Sequence, residues 1–302
     1  MLKEKIKSWI EAFRLRTLPL SMSSVILGAA LAFGDGIFSW ITSLLAVSTT
    51  LFLQILSNLA NDYGDYTHGL DNDERVGPKR GVQRGIIAPG EIKRAVVTFI
   101  VLTLISGILL IWSGVGDLIS IKGLVFILLG ILALAAAVNY TVGKHPYGYY
   151  GLGDLFVFIF FGLTGVAGTY YLNTHTFRPD ILLPASALGF LTTGVLNLNN
   201  MRDMENDRRN GKITLAVLLG PKLSRHYHLI LLSGAMVFSL IYVLLNYETP
   251  YQFIFLIIVP PLIQNVLAVY RNSYAALDPW LKKLSLTSLL YAITFGLGLL
   301  LH

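Results

Sequence analysis

The sequence predicts an all-α integral membrane protein, a bundle of nine transmembrane helices, from three observations. Hydrophobic residues make up 54% of the 302 and charged residues only 13%, with a mean hydropathy of +0.65, against about 25% charged residues in soluble domains. Apolar runs recur along the chain at close to the length that carries a helix across roughly 30 Å of hydrocarbon. The runs are continuous rather than alternating, which suits helices and not a β-barrel.

The spans read in order as 18–34, 39–60, 95–112, 122–140, 154–172, 182–200, 229–246, 252–270 and 284–301. Ahead of the first lies the basic, amphipathic stretch "KEKIKSWIEAFRLRTLPL". It reads as an interfacial helix leading into the membrane rather than as a secretory signal. Asn, Gln, Gly and Pro occur inside several spans, as expected where helices pack closely or line a cavity. Loop charge then orients the bundle. With a cytoplasmic N-terminus, Lys122 and Arg178 are the only two of the 23 Lys and Arg residues on the opposite face, so the C-terminus lies outside. The net charge of +6 therefore marks a membrane face, and no nucleic-acid partner is expected. The chain has no cysteine, which excludes disulfides and thiolate chemistry.

The loops are unequal. Two long polar segments, about 61–94 and 201–228, fall on the cytoplasmic side and gather Asp62, Asp65, Asp71, Asp73, Glu74, Glu91, Asp203, Glu205 and Asp207. They also resemble each other: "NLANDYGD" closes the second span and "NLNNMRDMEND" the sixth, and aligning Asn58 with Asn199 places Asp62 on Asp203. A faint internal duplication of this kind would set two like helix ends face to face across a central cavity open to the cytoplasm.

Two sets of side chains each fall on one helical face, the first through a four- and a three-residue step and the second through two four-residue steps. Asn58, Asp62 and Asp65 form the first set; Asn199, Asp203 and Asp207 form the second. Hard oxygen ligands so arranged suit Mg²⁺, which takes one or two carboxylates together with substrate phosphates and water. The competing reading is ordinary helix capping, which two matched sets on one membrane face make less economical. "GPKRGVQRG" adds Lys79, Arg80, Gln83 and Arg84, and the second segment adds Arg202 and, in "RRNGK", Lys212. Such cations would clamp a departing diphosphate, although loop cations also follow from the orientation rule alone. A third stretch, "NYTVGKHPYGYYGLGDLFVFIFFG", sets Lys144, Tyr140, Tyr147, Tyr149, Tyr150 and Asp154 at a corner between helices. Its tyrosines read either as an interfacial belt or as cavity faces that steady a cation. Zinc-type His/Glu spacing, a P-loop and a dinucleotide fingerprint are absent from the sequence.

These motifs resemble the UbiA superfamily of intramembrane prenyltransferases over nearly the whole chain, as a single domain. Asn58 and Asp62 fit the first aspartate motif of that family, with Asp65 one residue early and Tyr66 in the third position; Asp203 and Asp207 fit the second, with Asn199 in place of its first acid. "SNLANDYGDY", "GPKRGVQRG", "PYGYYGLGDLFVFIFFGLTGVAGTYY" and "NNMRDMENDRRNGKITLA" are similar to blocks of the branch that acts on 1,4-dihydroxy-2-naphthoate. The resemblance implies a multi-pass enzyme of the inner or cytoplasmic membrane that moves a polyprenyl group from its diphosphate onto dihydroxynaphthoate, with loss of CO₂, to give demethylmenaquinol. It implies Mg²⁺ held by Asp62, Asp65, Asp203, Asp207 and Asn199. Diphosphate would be bound by Asn58, Lys79, Arg80, Gln83, Arg84, Arg202 and Lys212, with Asp62, Asp203, Lys144 and Tyr149 at the chemistry. Other aromatic acceptors (4-hydroxybenzoate, homogentisate or a haem) are the nearest alternative. A secondary transporter is the remote one, and it would place ionisable groups in mid-span.

Overall fold

The computed structural model describes residues 2–69 and 80–301. It opens with the amphipathic helix α1 (Leu2–Ala12) and the apolar helix α2 (Leu18–Gly34). Among the described residues, eight helices long and apolar enough to cross a membrane follow: α3 (Trp40–Thr67), α4 (Pro89–Val115), α5 (Ile121–Asn139), α6 (Gly153–Thr174), α7 (Pro179–Arg202), α9 (Leu215–Leu245), α10 (Pro250–Arg271) and α11 (Tyr274–Leu300). The short α8 (Met204–Arg209) sits between α7 and α9. Among the described residues a single isolated bridge, Tyr150 to Ile213, is the only β pairing.

The polar segments are more helical than their composition suggests. Helix α3 runs through residues 61–67 without a break, α4 already begins at Pro89, and the second segment contains α8 and the start of α9. Helix ends are set by local chemistry. Ser39 accepts a hydrogen bond from the Thr42 amide at 3.2 Å at the head of α3, and Ser120 does the same for Gly123 at 3.1 Å at the head of α5, each satisfying an otherwise orphaned donor. At α4 the Glu91 carboxylate accepts from the Ala88 amide at 3.0 Å and pairs with Lys5 at 2.6 Å, tying α1 to the bundle. Helix α9 turns sharply at Gly220 (φ 71°) before Pro221, where Pro cannot continue the ladder.

Two apolar units result. Ala12, Ile55, Leu59, Val82, Ile87 and Ile92 join α1, α3 and α4, while Leu188, Leu191, Leu198, Leu232, Phe255, Tyr291 and Phe295 join α7 to α9, α10 and α11. Helix α7 is the hub: 72% of its spanning window is buried, against 17% for the outer helices α4 and α5. Close crossings rest on small residues, since a β-carbon on Gly162 would lie 2.6 Å from Gly189 of α7, and one on Gly296 would lie 2.6 Å from Ala30 of α2. Such small-residue contacts are the usual basis of helix association where no water drives it. At one end of the bundle Arg178 pairs with Asp35 (2.7 Å) and Asp180 (2.6 Å) and donates to Asn246 (3.1 Å), while the Tyr170 hydroxyl donates to Asp35. This clasp ties together the ends of α2, α6, α7 and α9.

Candidate active site

The aspartates lie at the opposite end of the bundle from that clasp, at the head of a cavity of about 390 Å³. Asp65, Asn199, Asp203 and Asp207 line it together with Asn58, Arg80 and Lys212. Below them the wall is apolar and runs along α3, α5 and α6, with Leu53, Ala133 and Phe160 among its residues. The two like helix ends thus face one space.

The first set is built on an unbroken helix. Asp62 accepts from Arg14 at 2.6 Å and lies 3.2 Å from the Arg80 Nε; Asp65 takes the other arm of Arg80 at 2.8 Å and accepts from the Tyr149 hydroxyl at 3.3 Å. Arg80 also donates to the Asn61 carbonyl at 3.0 Å. One guanidinium therefore bridges both carboxylates, the planar fork geometry that Arg offers and Lys does not. Arg14 reaches the site from a left-handed backbone (φ 49°) between α1 and α2, a conformation that non-glycine residues adopt infrequently. Gly64, inside "NDYGDY", has a separate reason: a β-carbon there would lie 2.6 Å from the Thr141 carbonyl oxygen. Thr141 in turn donates toward the Ala60 carbonyl (3.2 Å) and the Asn61 side chain (3.1 Å), which seats the 140–150 corner on α3.

The second set is built on a broken helix. Helix α7 stops at Arg202, and Asp203 takes a non-helical backbone before α8. Arg202 holds Asp203 through two contacts, at 2.6 and 2.9 Å, donates to Asn199 at 3.0 Å and pairs with Asp278 of α11. Asp207 is buried, with Lys212 3.7 Å away, and its Oδ2 has no hydrogen-bond partner. Burial, with Asp203 and Asp65 nearby, pushes its carboxyl up to about 6 against the pull of Lys212. Burial disfavours the Lys212 charge, but Asp207 and Asp65 outweigh it and raise the ammonium. Lys212 also sits 5.7 Å from the Tyr149 ring centre. A backbone bond from the Ile213 amide to the Tyr149 carbonyl at 3.1 Å fixes these two segments together.

The remaining residues singled out in the sequence divide. Asn58 donates to the Phe13 carbonyl (3.0 Å) and Thr17 (3.2 Å), holding the α1–α2 connection. The Gln83 side chain accepts from the Arg80 amide at 3.3 Å and so shapes the turn that aims Arg80. Arg84 points to α1, donating to Ser8 at 3.3 Å and pairing with Glu11. Lys144 is exposed and does not line the cavity. Lys79, with Asp71, Asp73 and Glu74, lies outside the described residues. Tyr140 and Tyr147 line the cavity, Tyr150 is exposed, and Asp154 is buried beneath the corner. Sequence reasoning missed Arg14 and Asp278. Arg14 read as one more loop cation, and Asp278, far along the chain, carried no motif.

Among the described residues no three acidic or histidine side chains converge as a ready-made metal cage. A donor set of Asp65, Asp203, Asp207 and Asn199 along one cavity, with an orphaned carboxylate oxygen, nonetheless fits a hard cation that keeps most of its ligands from phosphate and water.

The family model described as UbiA prenyltransferase family matches residues 21–290. A curated protein called 1,4-dihydroxy-2-naphthoate octaprenyltransferase, from Escherichia coli, is 43% identical over 98% of this chain and 96% of its own length. Its namesake from Haemophilus influenzae is 43% identical over 100% and 98%. Among solved structures, a UbiA homologue from Aeropyrum pernix superposes with a TM-score of 0.69 at 18% identity, covering 94% of this chain and 96% of that one. A homologue from Archaeoglobus fulgidus, bound to GPP and Mg²⁺, superposes with a TM-score of 0.61 at 16% identity over 96% and 100%.

Proposed function

We propose, because this chain belongs to the UbiA prenyltransferase family, that it transfers a polyprenyl group from polyprenyl diphosphate to 1,4-dihydroxy-2-naphthoate with loss of CO₂ and diphosphate, giving demethylmenaquinol. The observation that carries this reading is the joining of two chemistries in one cavity. Carboxylates and cations stand at its head, and apolar walls continue from them along three spanning helices. A prenyl diphosphate has the same two halves.

In this reading Mg²⁺ is held by Asp65, Asp203 and Asp207, with Asp62 and Asn199 in support, and supplies positive charge to the diphosphate oxygens when bound. The chain's own cations do the rest. Arg80 and Lys212, buried at the cavity head, stabilise charge on the departing diphosphate as the C1–O bond breaks heterolytically. Arg202 positions Asp203 and Asn199 and leaves the diphosphate oxygens to Arg80 and Lys212. Asn58, Gln83 and Arg84 act at one remove: Asn58 fixes the α1–α2 connection that delivers Arg14, and Gln83 shapes the Arg80 turn. Tyr140 and Tyr147, which line the cavity, present aromatic faces beside the allylic cation, and the apolar walls below them limit the water that would otherwise trap it. The ring carbon bearing the carboxylate then bonds to C1, and the C–CO₂ electrons return to the ring as CO₂ leaves. Because the carboxylate departs as CO₂, no proton has to be removed from that carbon. Tyr149 is the proposed acceptor contact, at the cavity head through Asp65, while Lys144, exposed and off the cavity, is set aside.

The membrane placement belongs to the same reading. Helix α2 joins the eight longer helices as a ninth span, the aspartate end and the N-terminus face the cytoplasm, the C-terminus lies outside, and the protein resides in the inner membrane. The near-total confinement of Lys and Arg to that side supports it.

The test is an incubation of the purified protein with Mg²⁺, octaprenyl diphosphate and dihydroxynaphthoate labelled in its carboxylate. Release of labelled CO₂ alongside prenylated product is expected. Prenylated product that retains the label would overturn the acceptor chemistry, and turnover with 4-hydroxybenzoate alone would move the protein to another branch of the family.

A further inference from the structure

We propose that a second anion site, separate from the aspartate cavity, lies in a pocket of about 410 Å³ behind α8, and that it takes a phosphate-bearing ligand through Arg225 and Tyr274. Three segments distant in sequence form the pocket: the end of α7 with α8, the stretch of α9 that carries Arg225, and residues 273–275 at the head of α11. Asn206 lines both this pocket and the aspartate cavity, so α8 is the wall between them.

The observation that points to a ligand is a pair of unmade hydrogen bonds. The Arg225 Nε and the Tyr274 hydroxyl are both buried, and neither has a hydrogen-bond partner among the described residues. Buried polar groups are paired in the great majority of cases, because an unpaired donor forfeits its hydration and gains nothing in exchange. Here two such groups, from helices far apart in the chain, line one space. The Arg225 guanidinium also lies over the Tyr274 ring, 5.5 Å from its centre. Stacked by its face, a guanidinium keeps its N–H edge for an acceptor, and that planar fork suits phosphate oxygens.

Charge sets the sign of the ligand. Arg209 and Arg225 line the pocket with a single acid, Glu205. Arg202 reaches it too, but its charge is met by Asp203 and Asp278. Ser273 makes no side-chain capping bond at the head of α11, where the helix dipole is positive. Donors arriving from three segments suit a tetrahedral anion better than a flat carboxylate. Two sources offer that chemistry: an anionic lipid headgroup, or free diphosphate, which the prenyl-transfer reading would release on the other side of α8.

The test titrates the purified full-length protein in neutral detergent, with EDTA present, by calorimetry. One arm adds inorganic diphosphate; the other adds micelles containing phosphatidylglycerol, with phosphatidylcholine micelles as the blank. Binding in either arm is expected, and the arm that responds names the source. Arg225→Gln should weaken it about tenfold or more, the scale of one charge-assisted hydrogen bond, and Tyr274→Phe should weaken it severalfold. Lys212→Gln, in the aspartate cavity, should leave it unchanged. Without added anion, Tyr274→Phe should unfold no lower than wild type, because it deletes an unpaired hydroxyl. No binding in either arm, binding indifferent to Arg225→Gln, binding lost in Lys212→Gln, or a marked fall in the Tyr274→Phe midpoint would each overturn the site. The titration involves no turnover, so a protein that binds diphosphate through Arg225 yet transfers no prenyl group would keep the pocket and refute the prenyl-transfer reading alone.

Discussion

The two aspartate-bearing helix ends share a sequence pattern and differ in how completely they are satisfied. At the end of α3 each carboxylate is matched by guanidinium: Asp62 by Arg14 and Arg80, Asp65 by Arg80. At the α7–α8 break, Arg202 occupies Asp203, while Asp207 keeps an unpartnered oxygen with its nearest cation 3.7 Å away. Two like motifs thus make a charge-balanced wall on one side and an under-neutralised one on the other. Two helix ends alike in sequence therefore differ in role. The acids on the intact helix are all paired, and the broken one leaves an Asp207 oxygen open.

The sharpest way to break this comparison is to neutralise one acid from each side. Asp207→Asn is expected to lower kcat beyond the roughly 10–100-fold typical of losing a supporting partner of a metal site, with the unfolding midpoint in detergent nearly unchanged. Asp62→Asn is expected to lose turnover and to destabilise the fold by about 3 kcal/mol, because Arg14 and the buried Arg80 lose their shared counter-charge. Two variants with the same stability would erase the distinction drawn here. Gly64→Ala comes next, costing about 1–3 kcal/mol through overpacking against the Thr141 backbone, with activity lost as the 140–150 corner shifts; thermal unfolding and turnover read both. Tyr149→Phe removes one long hydrogen bond (3.3 Å) to the Asp65 carboxylate, worth about 1.5 kcal/mol at the low end for a charged acceptor, and should lower activity by about tenfold or less in steady-state assays. The smallest effect is expected of Arg84→Gln, whose side chain faces α1; a loss matching that of Asp207→Asn would return Arg84 to the diphosphate.

Much of this was legible in the sequence, and the boundary is physical. Continuous apolar runs fix helices because backbone groups in hydrocarbon have no other partner, so the spanning helices fell close to their expected places. Spacing placed Asp62 beside Asp65, and alignment of the two motifs brought Asn199 and Asp203 to the same cavity. What spacing cannot show is which cation answers which acid. Arg14 reaches Asp62 only through a left-handed turn, and Asp278 meets Arg202 only because α11 packs against α7. Polar composition also hid helix: residues 61–67 look like loop yet continue α3, because Asn61 and Asp65 face a cavity and Asp62 is paired with Arg14 and Arg80.

The clasp of Arg178, Asp35, Asp180, Asn246 and Tyr170 stands at the end of the bundle remote from the aspartates. Its consequence is electrical. A cavity nearly as deep as the hydrocarbon layer would, if open at both ends, let ions pass down the membrane potential, worth about 2.3 kcal/mol per charge at 100 mV. By pinning four helix ends together, with one guanidinium set between two carboxylates, the clasp resists their parting at the end where a second opening would cost the membrane its insulation.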